Sequence, residues 1–240
     1  PQSNGKLPKF GMYRQITAIN PTARVYSIAH LPDNQIAYGM SDGSVVWENG
    51  STSKKLYTHG TSNVLSIIYA SEKNWVLSTA DDNTVIAWDL KSQKEIARYK
   101  HDATINHLQI YKDYVFGIDR KGRVLFWELG ISGKTPTVLW QHTTPLVSLA
   151  YAPTRHWLAF GASDGGLFIM NVDNPSSTRK FNKHHKGKVS ELAFSPNEDY
   201  LASASFDGTI MSWKLEKGEN NIQKLTNKVP AVILGEGKIF

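Results

Sequence analysis

Tryptophan recurs along this 240-residue chain at a near-constant interval. Trp47, Trp88, Trp127 and Trp213 stand at steps of 41, 39, 43 and 43 residues when Met170 is counted in the one vacant place. An independent landmark, the apolar residue opening a short alternating run, falls at Val25, Val64, Ile105, Val147 and Val189, at steps of 39, 41, 42 and 42. A period near 42 residues rules out one continuous core and requires a row of similar units, each covering its neighbour.

Each period holds four short runs. An alternating run comes first (Val64-Leu-Ser-Ile-Ile, Val189-Ser-Glu-Leu-Ala-Phe), then a polar turn such as Ser195-Pro-Asn-Glu-Asp, then a second apolar run (Trp75-Val-Leu-Ser, Tyr200-Leu-Ala-Ser). Tight turns follow at Ser41-Asp-Gly-Ser, Asp82-Asn-Thr, Ser163-Asp-Gly-Gly and Phe206-Asp-Gly-Thr, in residue types that tolerate the positive φ of two-residue hairpins. A third run ends at the tryptophan, and a more polar fourth closes the unit (Ile96-Ala-Arg-Tyr, Val138-Leu-Trp-Gln). Without helical periodicity anywhere, this predicts a four-stranded antiparallel meander per unit. A single meander leaves a face bare, whereas meanders stacked radially cover one another as in a propeller.

Trp88-Asp89, the loop histidines, the Asp-Gly turns and the passage from Ala193-Phe-Ser-Pro to Ile210-Met-Ser-Trp together resemble the WD-repeat (WD40) β-propeller family over about residues 20–230. The resemblance implies an all-β propeller of four-stranded antiparallel blades within one domain, 1–240. Five full repeats are expected at about 20–58, 59–100, 101–141, 142–183 and 184–226, with partial flanking blades at 10–19 and 229–240. Seven blades of about 42 residues would need roughly 290 residues. The chain is therefore expected to be part of a longer polypeptide, a compact five- or six-bladed ring being the alternative.

Almost every unit supplies the nucleophile, base and carboxylate of a hydrolytic triad: His59 with Ser78 or Thr79 and Asp82; His142 with Ser163 and Asp164; His185 (or His184) with Ser203 or Ser205 and Asp207. A catalytic triad occurs once, whereas a set at every period points to bracing. The resemblance places this set between the loop before the first strand and the turn between strands two and three, ending on the indole N–H of Trp88, Trp127 or Trp213. Asp42 and Trp47 take those positions in the first unit, which has no loop histidine. In the third unit Lys121 stands at the turn and Asp119 is displaced, so His101 is expected to lack its partner. All seven tryptophans fall at packing positions, which leaves none for an aromatic ligand cage. No catalytic residue is expected.

Zero cysteines exclude disulfides, thiolate zinc sites and a thiol nucleophile; this suits a cytoplasmic location and is compatible with a periplasm. His184 and His185 are adjacent with no third ligand at metal spacing, and no phosphate-binding glycine loop occurs, so neither metal nor cofactor is expected. No apolar run approaches the roughly 18–20 residues of a membrane span. Lys and Arg (27) exceed Asp and Glu (21), and the excess concentrates in the run from Arg179 to Lys188.

The favoured function is a non-catalytic protein–protein interaction scaffold or sensor within a larger protein or complex. Its partner would be a protein or peptide, acidic where it meets the basic run. By position, the contact residues are Arg24, Asn63, Thr104, Leu146, Lys183, Lys186 and Lys188. A nucleic-acid or phosphate-binding propeller using the same patch is the alternative, disfavoured because Asn63, Thr104 and Leu146 add no lysine to it. An enzyme with a site at the propeller mouth is the remaining reading.

Overall fold

Alternating apolar residues punctuated by turns every five to seven positions give strands that pair only with their immediate neighbours. A computed structural model describes residues 22–50, 52–129, 135–181, 185–215 and the backbone of 222–225. The expected partial strands at 10–19 and 229–240, and the residues Lys183 and His184, lie outside the described residues.

Twenty strands form five antiparallel four-stranded sheets. Blade 1 contains β1 (Val25–His30), β2 (Ile36–Met40), β3 (Ser44–Asn49) and β4 (Thr52–Thr58). Blade 2 contains β5 (Val64–Ala70), β6 (Trp75–Ala80), β7 (Thr84–Asp89) and β8 (Lys94–Lys100). Blade 3 contains β9 (Ile105–Tyr111), β10 (Tyr114–Asp119), β11 (Arg123–Glu128) and β12 (Thr137–Gln141). Blade 4 contains β13 (Leu146–Ala152), β14 (Trp157–Ala162), β15 (Leu167–Asn171) and β16 (Asn174–Lys180). Blade 5 contains β17 (Val189–Phe194), β18 (Tyr200–Ser205), β19 (Ile210–Leu215) and β20 (Ile222–Leu225). The described residues include no helix. The all-β propeller architecture is as the repeat requires.

Period two sorts each blade's side chains between its two neighbours. In blade 4, Leu158, Phe160, Phe168 and Met170 pack toward blade 3, while Ala159, Leu167 and Ile169 pack toward blade 5. Four apolar cores result, one between each consecutive pair of blades. The innermost strands pack in the succession β1, β5, β9, β13, β17, and blades 5 and 1 share no such interface among the described residues. Among the described residues the five blades therefore succeed one another as an arc. Tyr26 and Ile28 in β1 are correspondingly half exposed.

Two positions of the repeat need correction. Leu146, not Val147, opens the inner strand of blade 4, because Leu146 pairs with Ala162 as Val64 pairs with Ala80. In blade 1, Ile36 pairs with Glu48, the place held by Val76 and Trp88 in blade 2. Trp47 is thus one residue early. It turns to the opposite face, packs with the core shared with blade 2, and donates its indole N–H to Gln35 Oε1 at 2.8 Å.

Candidate functional site

The polar sets resolve into hydrogen-bond relays that hold blades together. In blade 5, Trp213 Nε1 donates to Ser203 Oγ (3.2 Å), Ser203 Oγ meets His185 Nε2 (2.8 Å), His185 Nδ1 meets Thr209 Oγ1 (2.9 Å), and Thr209 donates to Asp207. Blade 2 repeats this with His59 between Ser78 (2.8 Å) and Thr84 (2.9 Å), and Thr84 on Asp82. Here the head of the relay differs: Tyr57 brings its hydroxyl to Ser78 Oγ at 2.9 Å, and Trp88 Nε1 has no hydrogen-bond partner. Phe181, at the place of Tyr57 in the 4–5 interface, carries no hydroxyl and leaves Ser203 to the indole. The expectation that every relay ends on a tryptophan thus holds for Trp213 and fails for Trp88 and Trp127.

Ser–His pairs at 2.8 Å have the geometry of a nucleophile and its base. Their burial decides the matter. Ser78 and Ser203 are 0% and 1% exposed, so no substrate reaches either hydroxyl. Burial also lowers the pKa of His59, opposed by the Asp82 carboxylate, which keeps the ring a neutral relay element. Desolvation acts to raise the Asp207 carboxyl, yet hydrogen bonds from Thr209 and the Lys186 N–H outweigh it and bring the pKa down to about 2. His59, His101 and His142 also join two blades each: the His59 N–H donates to the Gly43 carbonyl of blade 1 while its ring reaches into blade 2, and the His101 and His142 N–H groups donate to the carbonyls of Asn83 and Gly122.

Blades 3 and 4 depart from the pattern because the serine is missing. At its place blade 3 has Gly117, paired with Leu108 and Leu125 as Ser78 is with Ile67 and Ile86. His101 does not lack a partner, contrary to expectation: its Nε2 lies 3.1 Å from Asp119 Oδ2. Asp119 is fully buried and accepts from the backbone N–H groups of Lys121 and Arg123, so it replaces the turn aspartate from the strand end. In blade 4 Phe160 takes the serine's place, and His142 contacts Asp164 at 3.1 Å while packing on Trp140 and Phe168; Ser163 is not in the set. Asp42, in the blade without a histidine, caps its own turn by accepting from the Ser44 N–H.

One end of the arc carries the loops into each blade. There the N–H of Ser41, Asp81, Arg120, Ser163 and Phe206 donates to the carbonyl of Arg24, Asn63, Thr104, Pro145 and Lys188, respectively. Of the expected contact residues, Leu146 is fully buried and Thr104 nearly so; their side chains serve the framework, with Pro145 taking the loop-end position assigned to Leu146. Asn63 is engaged with Asp81 (2.8 Å), which also binds Arg120 (2.7 Å), so blades 2 and 3 are tied to each other at this end. Arg24, Lys186 and Lys188 are exposed. The sequence reading missed Phe206, which is 75% exposed with Lys188 Nζ 5.1 Å from its ring centroid. The detectable signal was its position, since the other four blades have Ser41, Asp81, Arg120 and Ser163 there. No group of three His, Asp or Glu side chains among the described residues is placed to hold a metal ion.

Comparison with known proteins agrees with this geometry. The family description "WD domain, G-beta repeat" matches residues 50–89, and "Vps42 beta-propeller" matches residues 146–238. The target of rapamycin complex subunit wat1 of Schizosaccharomyces pombe is 25% identical over 164 residues, covering 65% of this chain and 52% of the relative. The target of rapamycin complex subunit LST8 of Saccharomyces cerevisiae is 24% identical over 162 residues, covering 64% of this chain and 53% of the relative. The chain thus spans about half the length of both relatives. The Cps50 (Swd1) β-propeller domain of Myceliophteria thermophila superposes with a TM-score of 0.69 at 16% identity, covering 83% of this chain and 70% of that one.

Proposed function

We propose that this chain, which is similar to WD-repeat proteins and folded as β-propeller blades, is a non-catalytic interaction module whose partner docks on the loop end of blade 5. The observation that carries this is Phe206. An aromatic ring 75% exposed, at a position polar in every other blade and flanked by Lys186 and Lys188, has no packing role. An aromatic anchor with adjacent cations fits a segment that places an apolar side chain beside a carboxylate. The relays beneath hold Phe206 on a rigid turn, since Asp207 caps both the Lys186 and Thr209 N–H groups. The named relatives are subunits of protein complexes, which supports an interaction role.

Selection of a displayed random-peptide library against the chain tests this reading. Enriched peptides should carry Asp or Glu next to a large apolar residue. Phe206→Ala, and Lys186→Glu with Lys188→Glu, should each weaken them at least tenfold, roughly 1.4 kcal/mol or more. Peptides of that kind bound equally by wild type and both variants would refute the assignment. Enrichment of uncharged sequences would refute its acidic component.

A further inference from the structure

Val25 and Ile28 of β1 hold the places of Val64 and Ile67 in β5 and of Leu146 and Leu149 in β13, by the same pairing across to the second strand. In blades 2 to 5 these two positions face the core shared with the preceding blade and are at most 5% exposed. In blade 1 they are 51% and 54% exposed. The rest of that face is closed, since Tyr38, Met40 and Val46 on β2 and β3 are all buried. The open strip is therefore one strand wide and, from Val25 to Ile28, about 10 Å long at roughly 3.3 Å per residue. A further four-stranded blade has no room there, because it would have to pack on side chains that are already covered. A single extended segment fits.

The four interfaces between described blades show what such a position receives. Each time, the carbonyl of the residue opening the innermost strand accepts a hydrogen bond from a side chain of the preceding blade: Ser27 on Val64 (3.3 Å), Thr79 on Ile105 (2.9 Å), Asn106 on Leu146 (2.7 Å) and Ser148 on Val189 (2.7 Å). Two residues beyond Ser27 and Ser148, Ala29 and Ala150 share a core with the next blade's Ile67 and Leu192. Residues two apart on an extended segment lie on one face, so a hydroxyl and a small apolar side chain together match an opening residue and the aliphatic three places on. Val25 has no described blade before it to supply that donor. A second copy of this chain would bring blade 5, whose residues at these places are Glu191 and Ala193. An ionised carboxylate only accepts, so it would set negative charge against the Val25 carbonyl, and the second copy does not fit.

We propose that the strip on β1 docks an extended segment of a partner protein, with a Ser or Thr donating to the Val25 carbonyl and a small aliphatic residue two places later seated on Ile28. The segment takes the part that a neighbouring blade's innermost strand plays elsewhere in the chain. This surface is separate from the loop end of blade 5 and does not rest on Phe206.

The chain has no cysteine, so Ile28→Cys introduces a single thiol. Its labelling by a maleimide should be at least tenfold faster than that of Leu149→Cys, the buried equivalent. A displayed random-peptide library selected on the wild type should enrich, beside any peptides lost in Phe206→Ala, a set carrying Ser or Thr with Ala or Val two places later. A synthetic peptide of that set should protect Ile28→Cys from labelling and bind Phe206→Ala as it binds the wild type. It should bind at least tenfold less to Ile28→Asp and to Val25→Lys, and replacing its own Ser or Thr by Ala should weaken it several-fold. Both variants change half-exposed residues and should melt within a few degrees of the wild type. Labelling of Ile28→Cys as slow as that of Leu149→Cys would mean that the chain covers its own strip, and would overturn the proposal. So would a selection that enriches no such peptides, or peptides of this kind bound equally by Ile28→Asp. Self-association seen by sedimentation and lost in Ile28→Asp would overturn it in favour of a second copy.

Discussion

Replacing Gly165 with alanine should destabilise the chain by about 4 kcal/mol or more, while the same change at Gly208 should be mild. Both glycines sit in Asp-Gly turns with positive φ, +90° and +78°. They differ in what surrounds them. A Cβ at Gly165 would lie 2.1 Å from the His185 carbonyl oxygen and 2.7 Å from its carbon, backbone atoms of the loop that enters blade 5. A Cβ at Gly208 would meet nothing within 4 Å. Left-handed backbone alone costs about 1–2 kcal/mol for alanine. A contact that forces two blades apart adds to this, for a total of about 4 kcal/mol or more. For a chain this size that lowers Tm by roughly 10 °C or more, against a few degrees for Gly208→Ala. Calorimetry on the two variants gives the comparison, and equal losses would mean that the blade 4 turn does not support the loop into blade 5.

Stability should fall as pH drops from about 6.5 toward 4, and His107 should account for much of the fall. His107 lies on inner strand β9, where blades 1, 2 and 4 have Ser27, Ser66 and Ser148. Burial lowers its pKa to about 4. The unfolded chain, with an ordinary histidine pKa near 6.5, binds a proton in this window that the folded chain refuses. The stability present above pH 6.5 is therefore lost progressively on acidification, by about 3 kcal/mol when pH 4 is reached. His59, whose pKa is also lowered by burial, adds to the fall with the same sign. The carboxylates held low, such as Asp207, contribute their own loss mainly below this window. His107→Ser should flatten the pH dependence of the unfolding midpoint between pH 4 and 6.5, whatever its effect at neutral pH. A variant with the slope of the wild type would contradict the assignment.

The repeat was readable because packing requires it: each blade needs apolar residues on both faces at fixed distances from a turn, and those distances survive in the chain. Register was less readable. Trp47 belongs to the series by spacing, but it stands one residue nearer its turn than Trp88, Trp127 or Trp213, and one residue in a strand exchanges faces. Counting from Asp-Gly instead of from the previous tryptophan would have exposed the difference. Leu146 and Val147 are adjacent apolar residues, so composition could not choose between them; only pairing across to β14 does. His101 found Asp119 because a buried aspartate at a strand end reaches the same space as one in the turn. That equivalence depends on three-dimensional reach and leaves no trace in spacing.

The candidate sites were legible in unequal measure. The basic loop before blade 5 stands out in the sequence as charge, and Lys186 and Lys188 are exposed as expected. Phe206 looked like one more aromatic beside a turn, because exposure is not encoded by residue type. Blade 3 has Gly117 at the place of the relay serine, and only the pairing of β10 with β11 reveals which hydroxyl is missing. The relay through Thr84 and Thr209 likewise hides in the ordinary Asp-x-Thr pattern of a turn.

The claim beneath all of this is that the recurring His, Ser and Asp residues brace the blades and do no chemistry. It is tested most directly by equilibrium urea unfolding of His185→Ala, Ser203→Ala and the double variant. Each single change leaves a buried polar group without its partner and should lower the unfolding free energy by about 1–3 kcal/mol. The double variant should cost less than the two combined, since the residues act as one unit. Unchanged stability in both single variants would contradict the bracing role and return these residues to candidacy for catalysis.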